Sequence, residues 1–367
     1  MNTPANHPVT TLADILDTAA LATAVQDGLV RLQRHPRQPY LIHNYTEACQ
    51  YSGAWNPVTV ACRGLIVDET TGEVLARPFP KFFGHEQREA PELRLEAPVA
   101  VTDKADGSLG IIFRDGDELA VATRGSFASE QARHATEVLR TRYPDFMPPA
   151  GLTVLVEIVY PENRIVLDYG GLDDLILLGA VDIATGRTFG PAAVPQWPGP
   201  VVDSFAYATL AEALAAPPRD GREGLVVHFT DTDERVKIKY AEYVRLHRLV
   251  TGLSARTVWE VLVSGGDLDA LTEPLPDEFH AWVTAVATEL TDAVAALAKA
   301  VEAEFATIVA ELPDGWGRRE FAARAVRSAH RGALFLRLDG KDYRPGLWQL
   351  VRPAGDVTPS GNQVSEE

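Results

Sequence analysis

The chain has 367 residues, 46% of them hydrophobic and 23% charged, with a net charge of −17. That length exceeds what one small core needs and predicts two domains, and the two cysteines, Cys49 and Cys62, are too few for a disulfide framework. No apolar run approaches the roughly 20 residues needed to span a bilayer, and no basic-then-apolar leader opens the chain. A reducing cytoplasm with no membrane contact is therefore expected. The acidity argues against a polyanionic partner gripped over the whole surface, but not against a local basic lane.

In chain order, residues 9–34 repeat apolar residues at helical spacing and predict a helix (TLADILDTAALATAVQDGLVRL). From about 40 to 240, short β-rich runs dominate: RGLIVDE, EVLARPF, SLGIIFR, ELAVATR, LTVLVEIVY, LILLGAVDI, EGLVVHF and VKIKY. Gly, Pro, Asp or Asn punctuates most of them, and one helical insert, SEQARHATEVLRTRY, interrupts the series. The reading is α+β, built on antiparallel sheets. After about 245 the pattern turns helical in WEVLVSGG, EFHAWVTAVATELTDAVAALAKAVEAEFATIVAEL and REFAARAVRSAHRGALFLRL. The expected division is 1–245, a helical domain at 246–352, and a polar, disordered tail at 353–367.

Charge is uneven. Between Trp316 and Arg352, nine Lys/Arg face three acids, and residues 235–248 add five more basic side chains. Phe335, Tyr343 and Trp348 lie within the first stretch. Such a run suits gripping a nucleic-acid backbone and stacking bases, or equally a solvated helical face.

The stretch TDKADGSLGI puts Lys104 ahead of an Asp-Gly turn, where Gly107 allows close backbone approach. VKIKY places Lys237 and Lys239 on one strand face, unfavourable unless an anion lies between them. LTVLVEIVY buries Glu157 in an apolar strand and EGLVVHF opens on Glu223, and such carboxylates need a cation, metal or hydroxyl. Lys81 lies among aromatics in ARPFPKFF, Arg63 heads a strand, and Arg124 precedes a Gly-Ser turn. Singly each has a plain structural explanation. Together they form a site in which cations hold a triphosphate, carboxylates hold a metal or ribose, and one lysine reacts. An ordinary lysine is protonated at neutral pH, so Lys237, Lys239 and a divalent metal are expected to depress the pKa of Lys104.

Lys104-Ala105-Asp106-Gly107 resembles the KxDG signature of covalent nucleotidyltransferases. The ordered set CRGLIVD, RPFPKFF, DKADGSLG, TRGSFASEQA, VEIVYPENRIVLDY, EGLVVHF and VKIKYAEYVRLH is similar to the ATP-dependent RNA ligase 1 family of bacteriophages, from about Tyr40 to Arg248. The resemblance implies a nucleotidyltransferase domain with flanking helices followed by an all-helical C-terminal domain. It implies ATP and Mg2+ or Mn2+ as cofactors. RNA with 3′-OH and 5′-phosphate ends would be the substrate, nicked tRNA among the candidates. Lys104 would become lysyl-AMP. Tyr40, Arg63, Lys81, Phe83, Gly107, Arg124, Glu157, Glu223, Lys237 and Lys239 would bind ATP, and Glu157, Glu223 and Asp106 would serve a metal, directly or through water. The family often has lysine where Arg124 stands. The alternatives are a DNA ligase, a capping guanylyltransferase, and a non-catalytic RNA binder of the same fold.

Overall fold

A computed structural model describes residues 9–164, 166–272, 275, 277–354 and 357–358. The chain divides into two compact units, one running to Arg245 and one starting at Leu246. The first unit opens with helices α1 (Leu12–Ile15) and α2 (Thr18–Gln26) and strands β1 (Val30–Arg34) and β2 (Tyr40–Tyr45). Helices α3 (Glu47–Ser52) and α4 (Pro57–Ala61) lead to β3 (Arg63–Asp68), β4 (Val74–Ala76), β5 (Phe83–Gly84), β6 (Val99–Asp103), β7 (Ser108–Asp115) and β8 (Glu118–Thr123). Helix α5 (Glu130–Arg142) precedes β9 (Leu152–Val159), β10 (Asp174–Asp182), β11 (Thr188–Phe189) and β12 (Ser204–Phe205). Helix α6 (Leu210–Ala215) precedes β13 (Gly224–Phe229), β14 (Arg235–Lys239) and α7 (Ala241–Thr251).

Three sheets result, ordered β1-β2-β3-β4, β11-β10-β9-β7-β8 and β12-β6-β13-β14-β5. Pairing is antiparallel except for β14 with β5. One face of the β7–β11 sheet packs on α5 through Ile112, Val138, Leu139, Val156 and Leu175. Its other face packs on the first sheet through Ile42, Ile66, Ile111, Phe113 and Leu155. The alternation of apolar side chains along β7 and β9 serves both layers. Strands β6 and β7 are consecutive in the chain yet lie in different sheets. Residues Lys104–Gly107 are the crossing, so the KADG turn sits where two sheets meet.

The second unit is helical: α8 (Ala255–Ser264), α9 (Leu268–Thr272), α10 (Asp277–Ala310), α11 (Arg318–Ala325), α12 (Arg331–Leu338) and α13 (Arg344–Leu350). The α+β class with antiparallel sheets and C-terminal helices is as the sequence predicted.

Local departures have local causes. The helix expected over 9–34 breaks at Leu16, and Asp17 Oδ1 caps α2 by accepting from Ala19 N (2.9 Å) and Ala20 N (3.0 Å). Helix α2 stops before Gly28, whose φ is +71°, and Val30–Arg34 pairs with β2 instead. The run EVLARPF yields only the three-residue β4. REFAARAVRSAHRGALFLRL forms two helices, separated by a turn in which His330 N donates to Ser328 Oγ (2.9 Å). Of the tail expected to be disordered, residues 355–356 and 359–367 lie outside the described residues, while Val357 O accepts a bond from Ala255 N at 2.8 Å. No described helix is long and apolar enough to cross a membrane.

Candidate active site

Lys104 leaves the end of β6, and its backbone N donates to Gly224 O at 3.0 Å. Strands β6 and β13 pair with Asp103 opposite Leu225, which sets Lys104 beside Glu223. Glu223 is fully buried; Oε1 lies 2.5 Å from Lys104 Nζ and 3.3 Å from Lys239 Nζ. The next residue must be glycine. Gly224 has φ +157°, and a Cβ there would lie 1.9 Å from Ile238 O on the facing strand.

Lys237 and Lys239 share one face of β14, opposite Val226 and Gly224. Glu157, on β9 of the neighbouring sheet, faces the same cluster. The electrostatics of Lys104, Glu157, Glu223, Lys237 and Lys239 are mutually linked, and Arg63 and Asp106 join them. The five sequence-nominated side chains therefore lie in one cluster.

Charge in that cluster runs against the expectation for Lys104. Burial opposes its ammonium, but the Glu223 and Glu157 carboxylates outweigh burial and hold its pKa above the ordinary lysine value. The depressed amine is Lys237: burial lowers its pKa well below the usual value, and Lys104, Lys81 and Arg63 push it the same way. Lys239 is lowered by burial against the pull of Glu223. Burial also drives Glu157 up to about 7, with Lys104 opposing the rise. The sequence could not tell which lysine would own the carboxylates, because that follows from the β6–β13 register.

The KADG turn is clamped from behind. Asp106 Oδ2 accepts from Val166 N (3.1 Å) and Leu167 N (2.9 Å), and Oδ1 accepts from Tyr243 Oη (2.8 Å). Asp106 N donates to Tyr169 Oη at 2.7 Å, and Asn163 Nδ2 donates to Ser108 Oγ (3.1 Å) and Ile158 O (3.0 Å). The stretch PENRIVLDY is thus the brace of the KADG turn (its Ile165 lies outside the described residues). Asp106 was expected near a metal; its carboxylate is instead committed to neighbouring segments. Gly107 was expected to admit a ligand, but a Cβ there would meet Ile158 O at 2.6 Å, so this glycine lets the turn pack on β9.

A second group of cations lies around Tyr45. Arg124 Nη1 donates to Tyr45 Oη at 2.6 Å, and Lys81 Nζ reaches the same oxygen at 3.5 Å. Lys81 sits 5.3, 5.4 and 5.7 Å from the rings of Tyr45, Trp55 and Phe83. Burial opposes ionisation of Tyr45, yet Arg124, Arg63 and Lys81 outweigh it and bring its pKa below the ordinary phenol value. Arg63 and Lys237 both approach the Phe82 ring, at 5.7 and 5.3 Å. Tyr40, nominated from the sequence, lies elsewhere. Its ring packs 5.7 Å from His35, five residues and roughly 16 Å along β2 from Tyr45. The signal that points to Tyr45 is its place one residue after Asn44, which faces Arg63 across the β2–β3 ladder. Phe83 is buried against Trp55 (5.4 Å) and walls the Lys81 cage.

Among the described residues no group of three or more His, Cys, Asp or Glu is placed to hold a metal ion. The fit to a divalent cation rests on the buried carboxylates of Glu223 and Glu157, the second of which burial holds near neutrality. Two carboxylates suffice for a hard cation only if water and phosphate supply its remaining oxygens.

In the helical unit, the basic run is partly neutralised within the fold. Arg318 pairs with Asp339 and Arg324 with Glu311, and Arg337 Nε lies 2.9 Å from Glu302 Oε1. Tyr343 is buried, and Phe335 and Trp348 pack on the same hydrophobic cluster. Tyr343 thus belongs to the interior, while Phe335 and Trp348 are half-buried.

A KxDG lysine where two sheets meet, two buried carboxylates and several buried cations thus make up the candidate site. Residues 61–209 match the model of a family described as RNA ligase, as the motifs indicated. The chain is similar to RNA ligase 1 of bacteriophage TS2126, 30% identical over 211 residues, 51% of this chain and 52% of that protein. It is also similar to a putative bifunctional polynucleotide kinase/RNA ligase of Autographa californica nuclear polyhedrosis virus, 26% identical over 58% of this chain and 34% of that protein. The chain thus spans about a third to a half of these curated relatives. Among solved structures, an archaeal ATP-dependent RNA ligase aligns over 88% of this chain and 79% of its own, with 16% identity and a TM-score of 0.45.

Proposed function

We propose that the chain is an ATP-dependent RNA ligase that joins 3′-OH and 5′-phosphate RNA ends through lysyl-AMP and RNA-adenylate intermediates. The observation that carries this reading is the charge balance of the cluster. Lys104 and Lys239 have Glu223 as counter-ion, while Lys237, Lys81, Arg63 and Arg124 gather near one another with Glu157 beside Arg63 and Lys237. A buried excess of cations is costly until a polyanion enters, and a nucleoside triphosphate supplies that charge.

In the first step Lys104 Nζ attacks the α-phosphorus, the bond to pyrophosphate breaks, and AMP remains on the amine. Lys104 rests as an ammonium held by Glu223, so a proton must leave before its lone pair can attack. A triphosphate lying against Lys237, Lys81, Arg63 and Arg124 offsets the charge that builds on the leaving pyrophosphate. Glu223 and Glu157 are the residues that would hold Mg2+ or Mn2+, which would add charge neutralisation at the phosphates. In the second step the AMP passes to an RNA 5′-phosphate, and in the third a 3′-hydroxyl displaces it.

The proposal includes the helical unit as the part that selects RNA, nicked tRNA being the candidate substrate. Its contacts would run mainly through backbone-gripping arginines, given that Tyr343 is buried and Phe335 and Trp348 are half-buried. A reducing cytoplasm accords with Cys49 and Cys62 as buried free thiols. The test is circularisation of a 5′-phosphorylated single-stranded RNA with ATP and Mg2+. Joined circles support the reading, and Glu223→Gln and Lys237→Met should abolish them. Covalent capture of GTP with no joining would instead indicate capping chemistry.

A further inference from the structure

Lys104 and Glu223 each have a neighbour of opposite charge, and these neighbours meet on the reverse face of the same sheet. Asp103 precedes Lys104 on β6, and Arg222 precedes Glu223 at the head of β13. Asp103 lies opposite Leu225, on the face away from Lys237 and Lys239; Arg222 pairs with it there, while Lys104 and Glu223 pair with each other. Arg222 Nη1 lies 3.2 Å from Asp103 Oδ2, and Arg219 pairs with Asp103 Oδ1. Asp103 is 5% exposed. Arg219 stacks 4.3 Å above the Phe205 ring and its Nε reaches Tyr240 Oη at 3.5 Å, beside Lys239. Asp103 N donates to Asp203 O at 2.8 Å, fixing the strand end from its other side.

We propose that Asp103, with Arg222 and Arg219, is a positioning latch that sets the separation and alignment of Lys104 and Glu223. The inference rests on the nucleotidyltransferase reading of the front face. Neither arginine is needed to hold the sheet, whose backbone ladder already pairs Leu225 with Asp103 and Val226 with Thr102. Backbone bonds from Lys104 N to Gly224 O (3.0 Å) and from Tyr240 N to Glu223 O (2.9 Å) hold the main chain at the two strand ends, and the Asp103 carboxylate with its arginines ties those ends through side chains. A reacting amine displaced by a fraction of an ångström loses its line of attack.

The experiment is single-turnover formation of the covalent adenylate from α-labelled ATP, at saturating and sub-saturating ATP, in the full-length protein. Asp103→Asn and Arg222→Gln should each slow the step by roughly tenfold or more, with half-saturating ATP within about twofold of the parent, because neither residue touches the nucleotide. The double variant should be no slower than the slower single one, since both remove the same contact. Arg222→Lys should recover part of the rate. Arg222 is 40% exposed on its side chain, so its variants test the latch even if Asp103→Asn fails to fold. Unchanged rates, losses that multiply in the double variant, or a loss confined to ATP affinity would overturn the latch. If the parent itself captures no AMP, the reading of the front face fails and the latch falls with it.

Discussion

Among the residues of the cluster, Lys237 bears the clearest strain. In the unfolded chain it binds a proton up to its ordinary value of 10.5, whereas in the folded chain it does so only at much lower pH. Between those limits the unfolded state binds more protons, so the contribution of this side chain to stability rises with pH. Lys237→Met should therefore stabilise the protein at pH 7 by about 1–2 kcal/mol while abolishing ligation, and the gain should shrink as pH approaches 10. Denaturant melts at pH 7, 8.5 and 10 check the sign. Tyr45 offers a second test. Losing the hydroxyl that Arg124 and Lys81 hold should weaken ATP binding by about tenfold in Tyr45→Phe, whereas Tyr40→Phe should leave it unchanged; calorimetric titration distinguishes them. The identities of Lys104, Glu157, Glu223, Lys237 and Lys239 were legible in the sequence because buried-strand charges are rare and need partners. Which lysine owns the carboxylates was not legible, nor was the choice of Tyr45 over Tyr40. Both depend on register and on which end of β2 meets Arg63, and a period-two pattern does not encode either.

The KADG turn is built by elements that pin each other. Asp106 receives the amides of Val166 and Leu167 and the hydroxyl of Tyr243, and each bond ties a distant segment to the Lys104 crossing. Tyr243→Phe leaves Asp106 Oδ1 buried and short of a donor, and should cost about 1–3 kcal/mol in a denaturant melt. Gly224→Ala should cost more, because its Cβ would strike Ile238 O and part β13 from β14; loss of cooperative unfolding would register it. The strands themselves were legible as apolar runs bounded by turn residues. The break of the first helix was less so, because Asp17 and Gly28 override a continuous apolar periodicity. The PENRIVLDY stretch stood out as a motif, but its bracing role rests on backbone amides, which a string of side chains does not display.

At the scale of the whole molecule, a chain of net charge −17 concentrates cations in one buried cluster. On the proposed function, a polyanionic nucleotide would be drawn to that cluster and not to the acidic surface at large. Saturating ATP should raise stability by about 2.7 kcal/mol at a hundredfold excess over its dissociation constant, and Lys237→Met should lose that shift. The helical unit keeps Arg318, Arg324 and Arg337 in pairs with its own carboxylates. RNA joining should for that reason depend on salt less steeply than nine basic residues would imply. The most direct measurement of the central claim is covalent capture of nucleotide. The protein is mixed with α-labelled ATP and Mg2+, denatured and run on a gel. Label that stays with the parent chain and is absent from Lys104→Ala is the predicted result. Label retained by Lys104→Ala, or absent from both, would contradict it.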